Sequence, residues 1–237
     1  MKIIIFSDLH ANWEALSALQ RVESQPDAVL FMGDIVNFGP DPKRCLDWVR
    51  ANATAAVRGN HDHGVAFGGE LGVNPGLLVE YRAMRDFTQT VLPAEDRAWL
   101  GDLPLNHNVE LDGARFHLVH AMPSDPLARR LSLVSARQEE LEAEVAQLSP
   151  RPDVLLVGHT HLPGMRKVGE TIIVNPGSLG QPRNGIPDAT YAVWRDGDLQ
   201  IHHLHYDHDA TQRKLMMLPV DPDVVDRLQE ILETGSA

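Results

Sequence analysis

Ile3-Ile4-Ile5-Phe6-Ser7-Asp8-Leu9-His10 decides the fold, because a short β-branched, apolar run breaks off into a carboxylate and an imidazole two residues apart. Such a run reads as a buried strand, and the polar residues after it as the loop at its carboxyl end. The event recurs along the chain. Ala28 to Met32 is followed by Gly33-Asp34, Ala53 to Val57 by Gly59-Asn60-His61-Asp62, and Val154 to Val157 by Gly158-His159-Thr160-His161. Thr171 to Val174 makes a further strand of the same kind.

Between the first strands the apolar period changes to that of a helix. Trp13, Leu16, Leu19 and Val22 recur at helical spacing behind Asn12, a plausible N-cap, and Pro42 can open a second helix through Leu46 and Val49. Strand, helix, strand, helix, strand implies right-handed crossovers and a largely parallel sheet. From 64 to 104 the pattern is a glycine-rich loop, a helix from Leu77 to Val91, and a short element opened by Pro93; it predicts a helical insertion. Two hairpins are predicted. One joins Asn108 to Leu111 with Arg115 to Val119 through Asp112-Gly113, and the other joins Thr190 to Trp194 with Leu199 to Leu204 through Asp196-Gly197. Leu131 to Leu148, rich in Glu and Gln, predicts one long helix with a solvated face and no chemistry. A C-terminal helix is expected at about 219–234, and the 237 residues are read as a single domain.

The formal charge of −12 disfavours a nucleic-acid partner, whose backbone is bound by neutralising Lys and Arg. Local positive charge must then attract any anionic substrate, and bound metal is the natural source. The single cysteine, Cys45, lies in a helical apolar run, so no disulfide framework is expected and the reducing cytoplasm is the default location. With no stretch of about 18 apolar residues, no membrane partner is expected; oligomeric state is left open.

Ligands in open α/β sheets bind beyond the carboxyl ends of the strands, so these polar clusters should meet in one crevice. Asp8 with His10, and His159 with His161, are spaced to aim in pairs. Glycines 33, 59 and 158 are expected to let the backbone turn sharply where a side chain is presented. Together with Asp34, Asn60 and His120, which follows the hairpin strand, the ligand candidates number seven. That is too many for one ion and suits two, since a carboxylate can bridge a cation pair. Oxygen and nitrogen donors without thiolate are compatible with manganese, iron, zinc or nickel.

The ordered set Asp8-x-His10, Gly33-Asp34, Gly59-Asn60-His61-Asp62, His120 and Gly158-His159-x-His161 resembles the calcineurin-like metallophosphoesterase superfamily, in its small bacterial phosphoesterase type. The resemblance implies an α/β fold, an α/β-β/α sandwich of two mixed sheets with flanking helices and the metal site at the strand C-terminal ends. It implies that Asp8, His10 and His161 hold one metal, that Asn60, His120 and His159 hold the other, and that Asp34 bridges them. His61 would protonate or stabilise the leaving-group oxygen, with Asp62 orienting its ring, while a metal-bridging hydroxide attacks phosphorus in line. The expected activity is hydrolysis of a small phosphomonoester or phosphodiester; a catalytically silent scaffold and a nuclease are the alternatives. Asn175-Pro176-Gly177-Ser178 with Gln181-Pro182-Arg183 extends the resemblance, and Arg183 is the candidate for a substrate-phosphate contact. At Phe38 the chain departs from the pattern, since protein phosphatases and symmetrical dinucleoside-tetraphosphate hydrolases carry an arginine there.

Taken singly, Asp8 would be a helix cap, Asn60 a turn residue and His120 a hydrogen-bonded core histidine. Independent caps and turns have no reason to fall in this order. His202, His203, His205 and His208 lie in an alternating segment read as an exposed edge strand, and His63, His107 and His117 are assigned no chemistry. Arg58 and Arg129 are weaker phosphate candidates.

Overall fold

Successive side chains of strand β1 (Lys2–Phe6) point to opposite faces, and both faces are covered. The structure, a computed structural model, describes all 237 residues. Ile4 and Phe6 pack with Val29 and Phe31 of β2 (Ala28–Phe31) against helices α1 (Trp13–Val22) and α2 (Pro42–Asn52). Ile3, Ile5 and Leu30 face inward instead, onto Phe116, Leu118, Val154 and Leu156 of a second sheet. Each fully buried aliphatic or Phe side chain in this sandwich contributes roughly 1.5–3 kcal/mol of transfer free energy.

The first sheet has the order β10-β9-β1-β2-β3, where β3 is Ala55–Ala56, β9 is Ala189–Arg195 and β10 is Asp198–Leu204. β1 runs parallel to β2, with Ile5 opposite Leu30, and antiparallel to β9, with Ile5 opposite Ala192. The second sheet has the order β4-β5-β6-β8-β7. Its members are β4 (Asn106–Leu111), β5 (Ala114–Val119), β6 (Val154–Leu156), β7 (Gly164–Val168) and β8 (Thr171–Asn175). The central strands β5, β6 and β8 are parallel, and the antiparallel edges β4 and β7 make the sheet mixed.

Both predicted hairpins form, and Asn12 caps α1 by accepting from the Ala15 N–H at 3.1 Å. Three helices lie in the 60–104 region, α3 (Asn60–Phe67), α4 (Leu78–Val91) and α5 (Ala94–Asp102). The helix expected from Leu131 to Leu148 shrinks to α6 (Gln138–Val145). Before it, the carbonyls of Leu133 and Ala136 are taken by Arg166 Nη1, each at 3.2 Å, and Ser132 Oγ accepts from the Val134 N–H, so the backbone satisfies itself outside a helix. Leu131, Leu133 and Ala136 are buried there against Val168 and Ile173.

Helix α7 (His208–Leu215) takes His208 out of the edge strand in which the alternating pattern placed it. Helix α8 (Pro222–Thr234) starts where Asp221 caps and Pro222 fixes the first turn, a few residues later than the sequence suggested. Its apolar face packs Leu228, Ile231 and Leu232 onto Phe38, Tyr81 and Met84. No helix is long and apolar enough to cross a membrane.

Candidate metal centre

Each ligand candidate sits just past a strand end, and at five of the seven the backbone takes a conformation L-residues rarely adopt. Asp8, His10, Asp34, His159 and His161 all have positive φ, as do the neighbouring Ala11, Asn37 and Phe38. Eight of the chain's eleven positive-φ non-glycine residues are therefore gathered here. Such backbone costs about 1–2 kcal/mol per residue, least for Asp, Asn and His, so the surrounding structure must enforce it. It does so through ladders between loops: the N–H groups of Asp8, His10 and Ala11 donate to the carbonyls of Gly33, Asp34 and Ile35. The loop after β8 adds braces, with Ser178 Oγ donating to the Asp8 carbonyl at 2.7 Å and Asn175 Nδ2 to that of Gly158 at 2.7 Å.

Of the three expected sharp-turn glycines only Gly33 has positive φ, at 92°. Gly59 and Gly158 are needed for close approach instead: a Cβ on Gly59 would lie 2.0 Å from Asp34 Oδ1, and one on Gly158 2.0 Å from Ser7 Oγ.

All seven candidates are buried, and the structure brings them into one cluster. His161 Nε2 lies 3.3 Å from Asp8 Oδ1 and 3.1 Å from His10 Nε2. On the far side His120 Nε2 lies 3.0 Å and His159 Nδ1 3.1 Å from Asn60 Oδ1. Asp34 Oδ2 stands between the two groups, 3.8 Å from His10 Nε2 and 3.3 Å from His120 Nε2.

Ring protons show what is missing from these contacts. His10, His120 and His161 each turn Nδ1 to a carbonyl oxygen, of Val36, Met32 and Gln181 respectively. A carbonyl only accepts, so each Nδ1 carries a proton and Nε2 is the nitrogen left to face the cluster. His10 and His161, both neutral, thus aim Nε2 lone pairs at each other, while His120 turns Nε2 to the Asn60 amide oxygen, whose Nδ2 is committed to the Leu71 carbonyl. Asp8 Oδ1 is enclosed with no hydrogen-bond partner. Converging acceptors repel unless a cation lies among them, so this donor set fits divalent metal.

Without a cation, burial pushes the His10 imidazole down to about 3, and burial likewise holds His61, His159 and His161 well below the usual histidine range. His120 moves the other way. Burial, the largest single influence, would lower it, but the Asp34 charge and hydrogen bond, the Asp8 charge and the Met32 carbonyl together outweigh burial and raise it to about 9.

His61 Nε2 lies 3.9 Å from Asp34 Oδ2, facing the cluster. Asp62 does not orient it, contrary to the sequence expectation. The Asp62 carboxylate accepts instead from the backbone N–H groups of Asp34 and Ile35, each at 2.8 Å, and of Gly59 at 3.0 Å, so it ties the β2 loop to α3. Burial, with the Asp34 charge second, raises Asp62 to about 7. The His61 ring is boxed by aromatics, its centroid 4.7 Å from Phe38 and 5.0 Å from Tyr81, and its Nδ1 has no partner.

Arg183 is half-buried at the rim and donates to Gln181 Oε1 at 2.6 Å, while Gln181 holds His161 through its carbonyl. Burial first, then repulsion from Arg130, brings the Arg183 guanidinium down to about 10. Arg130 escaped the sequence reading, although an adjacent arginine pair in the loop after His120 was a visible signal. Arg129 instead pairs with Glu144 at 3.5 Å, and Arg58 donates to the Gly101 carbonyl. His117 is a hydrogen-bonded core histidine, 2.8 Å from Asn108 Oδ1.

A family model described as the calcineurin-like phosphoesterase superfamily domain matches residues 1–195. The chain belongs to this superfamily. An uncharacterized protein of Methanocaldococcus jannaschii is 28% identical over 225 residues, covering 87% of this chain and 88% of its own. The phosphodiesterase YfcE of Escherichia coli K12 is 25% identical over 213 residues, covering 85% of this chain and 91% of its own. The crystal structure of a metallophosphoesterase from Sphaerobacter thermophilus superposes with a TM-score of 0.80 at 27% identity, over 99% of both chains. Calcineurin-like membership and the cluster's chemistry together make this chain a metal-dependent phosphoesterase.

Proposed function

We propose that the chain hydrolyses a small phosphomonoester or phosphodiester with two divalent transition-metal ions. Asp8, His10 and His161 hold one ion, Asn60, His120 and His159 the other, and Asp34 is shared. The observation that carries this reading is the convergence of buried nitrogen and oxygen donors in two groups with Asp34 Oδ2 between them, His10 and His161 meeting through their unshared Nε2 pairs. When bound, the cation pair supplies an acidified water and positive charge for the phosphoryl oxygens.

The chain's own residues do the rest. With Nδ1 enclosed by Phe38 and Tyr81 and Nε2 turned to the site, neutral His61 carries its proton on Nε2 and donates it in a hydrogen bond to the leaving-group oxygen. Asp62 keeps the Asp34 loop and the start of α3 in register, so that Asp34 and Asn60 meet the same centre. Arg183 binds a phosphoryl oxygen at the rim. A silent scaffold would have no use for mutually repelling lone pairs held this firmly.

The test is hydrolysis of para-nitrophenyl phosphate and its bis ester by purified protein loaded with manganese or nickel. Failure on both esters under both metals removes the reading.

A further inference from the structure

The connection between α3 and α4, residues 68–76, touches one half of the centre at two consecutive residues. Leu71 turns its carbonyl inward and accepts from Asn60 Nδ2 at 2.9 Å. Because a carbonyl only accepts, this bond decides which way the Asn60 amide faces: nitrogen to the connection, Oδ1 to His120 and His159. The torsion that exchanges the two atoms is soft, and the amide nitrogen, a donor, cannot ligate a cation.

Gly72 makes the second contact. Its φ is 64°, and a Cβ there would lie 2.6 Å from the Leu127 carbonyl oxygen, 3.0 Å from Ala128 Cα and 3.0 Å from His159 Cε1. Bare backbone therefore closes on the ring edge between the two imidazole nitrogens. His159 needs that support. The rings of His10, His120 and His161 are each held at Nδ1 by a carbonyl, whereas His159 Nδ1 meets only Asn60 Oδ1, at 3.1 Å, and its Nε2 is enclosed without a partner.

Both sides of the connection are clamped. Tyr81 Oη donates to the Gly69 carbonyl at 2.8 Å, Arg82 holds Glu70 through two hydrogen bonds, and Val73 packs on the cluster that contains Tyr81 and Leu77. Opposite, Leu127 belongs to the loop after His120, which buried Glu144 anchors by accepting from Ser124 N at 2.9 Å and Ser124 Oγ at 2.7 Å. A side chain at Gly72 must push the connection outward, and the Leu71 carbonyl moves with it. His10 and His161 take their braces from Val36 and Gln181 instead.

We infer that segment 68–76 is a strap that sets one ion position and not the other, with Gly72 and the Leu71 carbonyl as positioning elements for the Asn60, His120 and His159 group. This rests on the two-ion reading proposed above. The strap thus makes the two positions separable, so that one can be emptied while the other stays filled.

Manganese is titrated into the unsubstituted protein and into G72A, Y81F and G235A, with bound ions counted by elemental analysis and their pairing read by electron paramagnetic resonance. G72A should bind its weaker ion about 10- to 100-fold less tightly, as loss of an outer support for metal ligands does, and keep the other within about twofold. Its spectrum should change from that of a coupled pair to that of an isolated ion. Y81F keeps the ring beside His61 and removes only the bond to Gly69, so it should lose about fivefold at the same ion and decides the matter even if G72A folds poorly. G235A meets a comparable collision, 2.5 Å from the Ile186 backbone at φ 63°, outside both ion groups, and should keep the pair. Unchanged binding in G72A and Y81F, equal loss of both ions, or the same loss in G235A overturns the inference. An unsubstituted protein that binds a single ion ends the two-ion reading and the strap's role with it.

Discussion

The two ends of the sandwich differ in a way that ranks signs of function. At the amino ends of β1 and β2 lies an open groove of about 420 Å³ between Leu19, Glu23, Asp27, Trp48 and Asn52, far roomier than the 10 Å³ void between His10, Phe38 and α8 at the carboxyl ends. Yet the groove has one positive-φ non-glycine residue, Gln25, and its acids are satisfied: Glu23 pairs with Lys2 and accepts from Tyr191, and Asp27 accepts from Lys2 N. The carboxyl end holds the strained backbone, the enclosed acceptors and the perturbed imidazoles. Space alone is a poor guide here; unsatisfied polarity held by costly backbone is a better one.

The largest effect should come from Asp34→Asn, which removes the negative charge at the shared position. Turnover should fall by at least about two orders of magnitude, beyond what loss of an outer hydrogen-bond partner costs, and metal content by elemental analysis should drop with it. A fully metallated, active Asp34→Asn protein would break the comparison. His61→Gln should lose about 10²-fold in kcat while keeping its metal, which separates the leaving-group role from ligation. Next comes Gly59→Ala, whose Cβ must displace the Asp34 carboxylate; overpacking of this kind costs about 1–3 kcal/mol, to be seen in denaturant unfolding alongside weakened metal retention.

The metal-free protein should also be acid-sensitive. His10, His61, His159 and His161 titrate below their unfolded value of about 6.5, so the unfolded chain binds more protons beneath that pH and stability is lost as pH falls from about 6.5 towards 3. His120, raised to about 9, adds stability below 6.5 that is lost as pH climbs through 9, and raised Asp62 opposes the acid loss as a single group against four. Thermal melts from pH 6.5 to pH 5 in chelator should show a falling midpoint, and saturating manganese should flatten the slope. The smallest effect belongs to the opposite end, where Asn52→Ala should leave turnover within about twofold, as surface changes away from special features do.

The sequence showed the strands and their polar ends clearly because both signals are local: a β-branched run, then Asp, Asn or His. It also showed the first two helices, whose caps and periods lie within ten residues. What it missed depends on contacts between distant segments. Arg166 reaches back to the carbonyls of Leu133 and Ala136 and cancels a helix that propensity favours. Asp62, adjacent to His61 in sequence, points away from it because three backbone N–H groups of the β2 loop and α3 claim its carboxylate.

Helix α8 has a consequence for assembly. The candidate ligands are drawn from positions 8 through 161, while Phe38, packed beside His61, gains its backing from Leu228, Ile231 and Leu232 of α8. One wall of the cluster is therefore closed by a segment of chain separate from those that furnish its donor atoms.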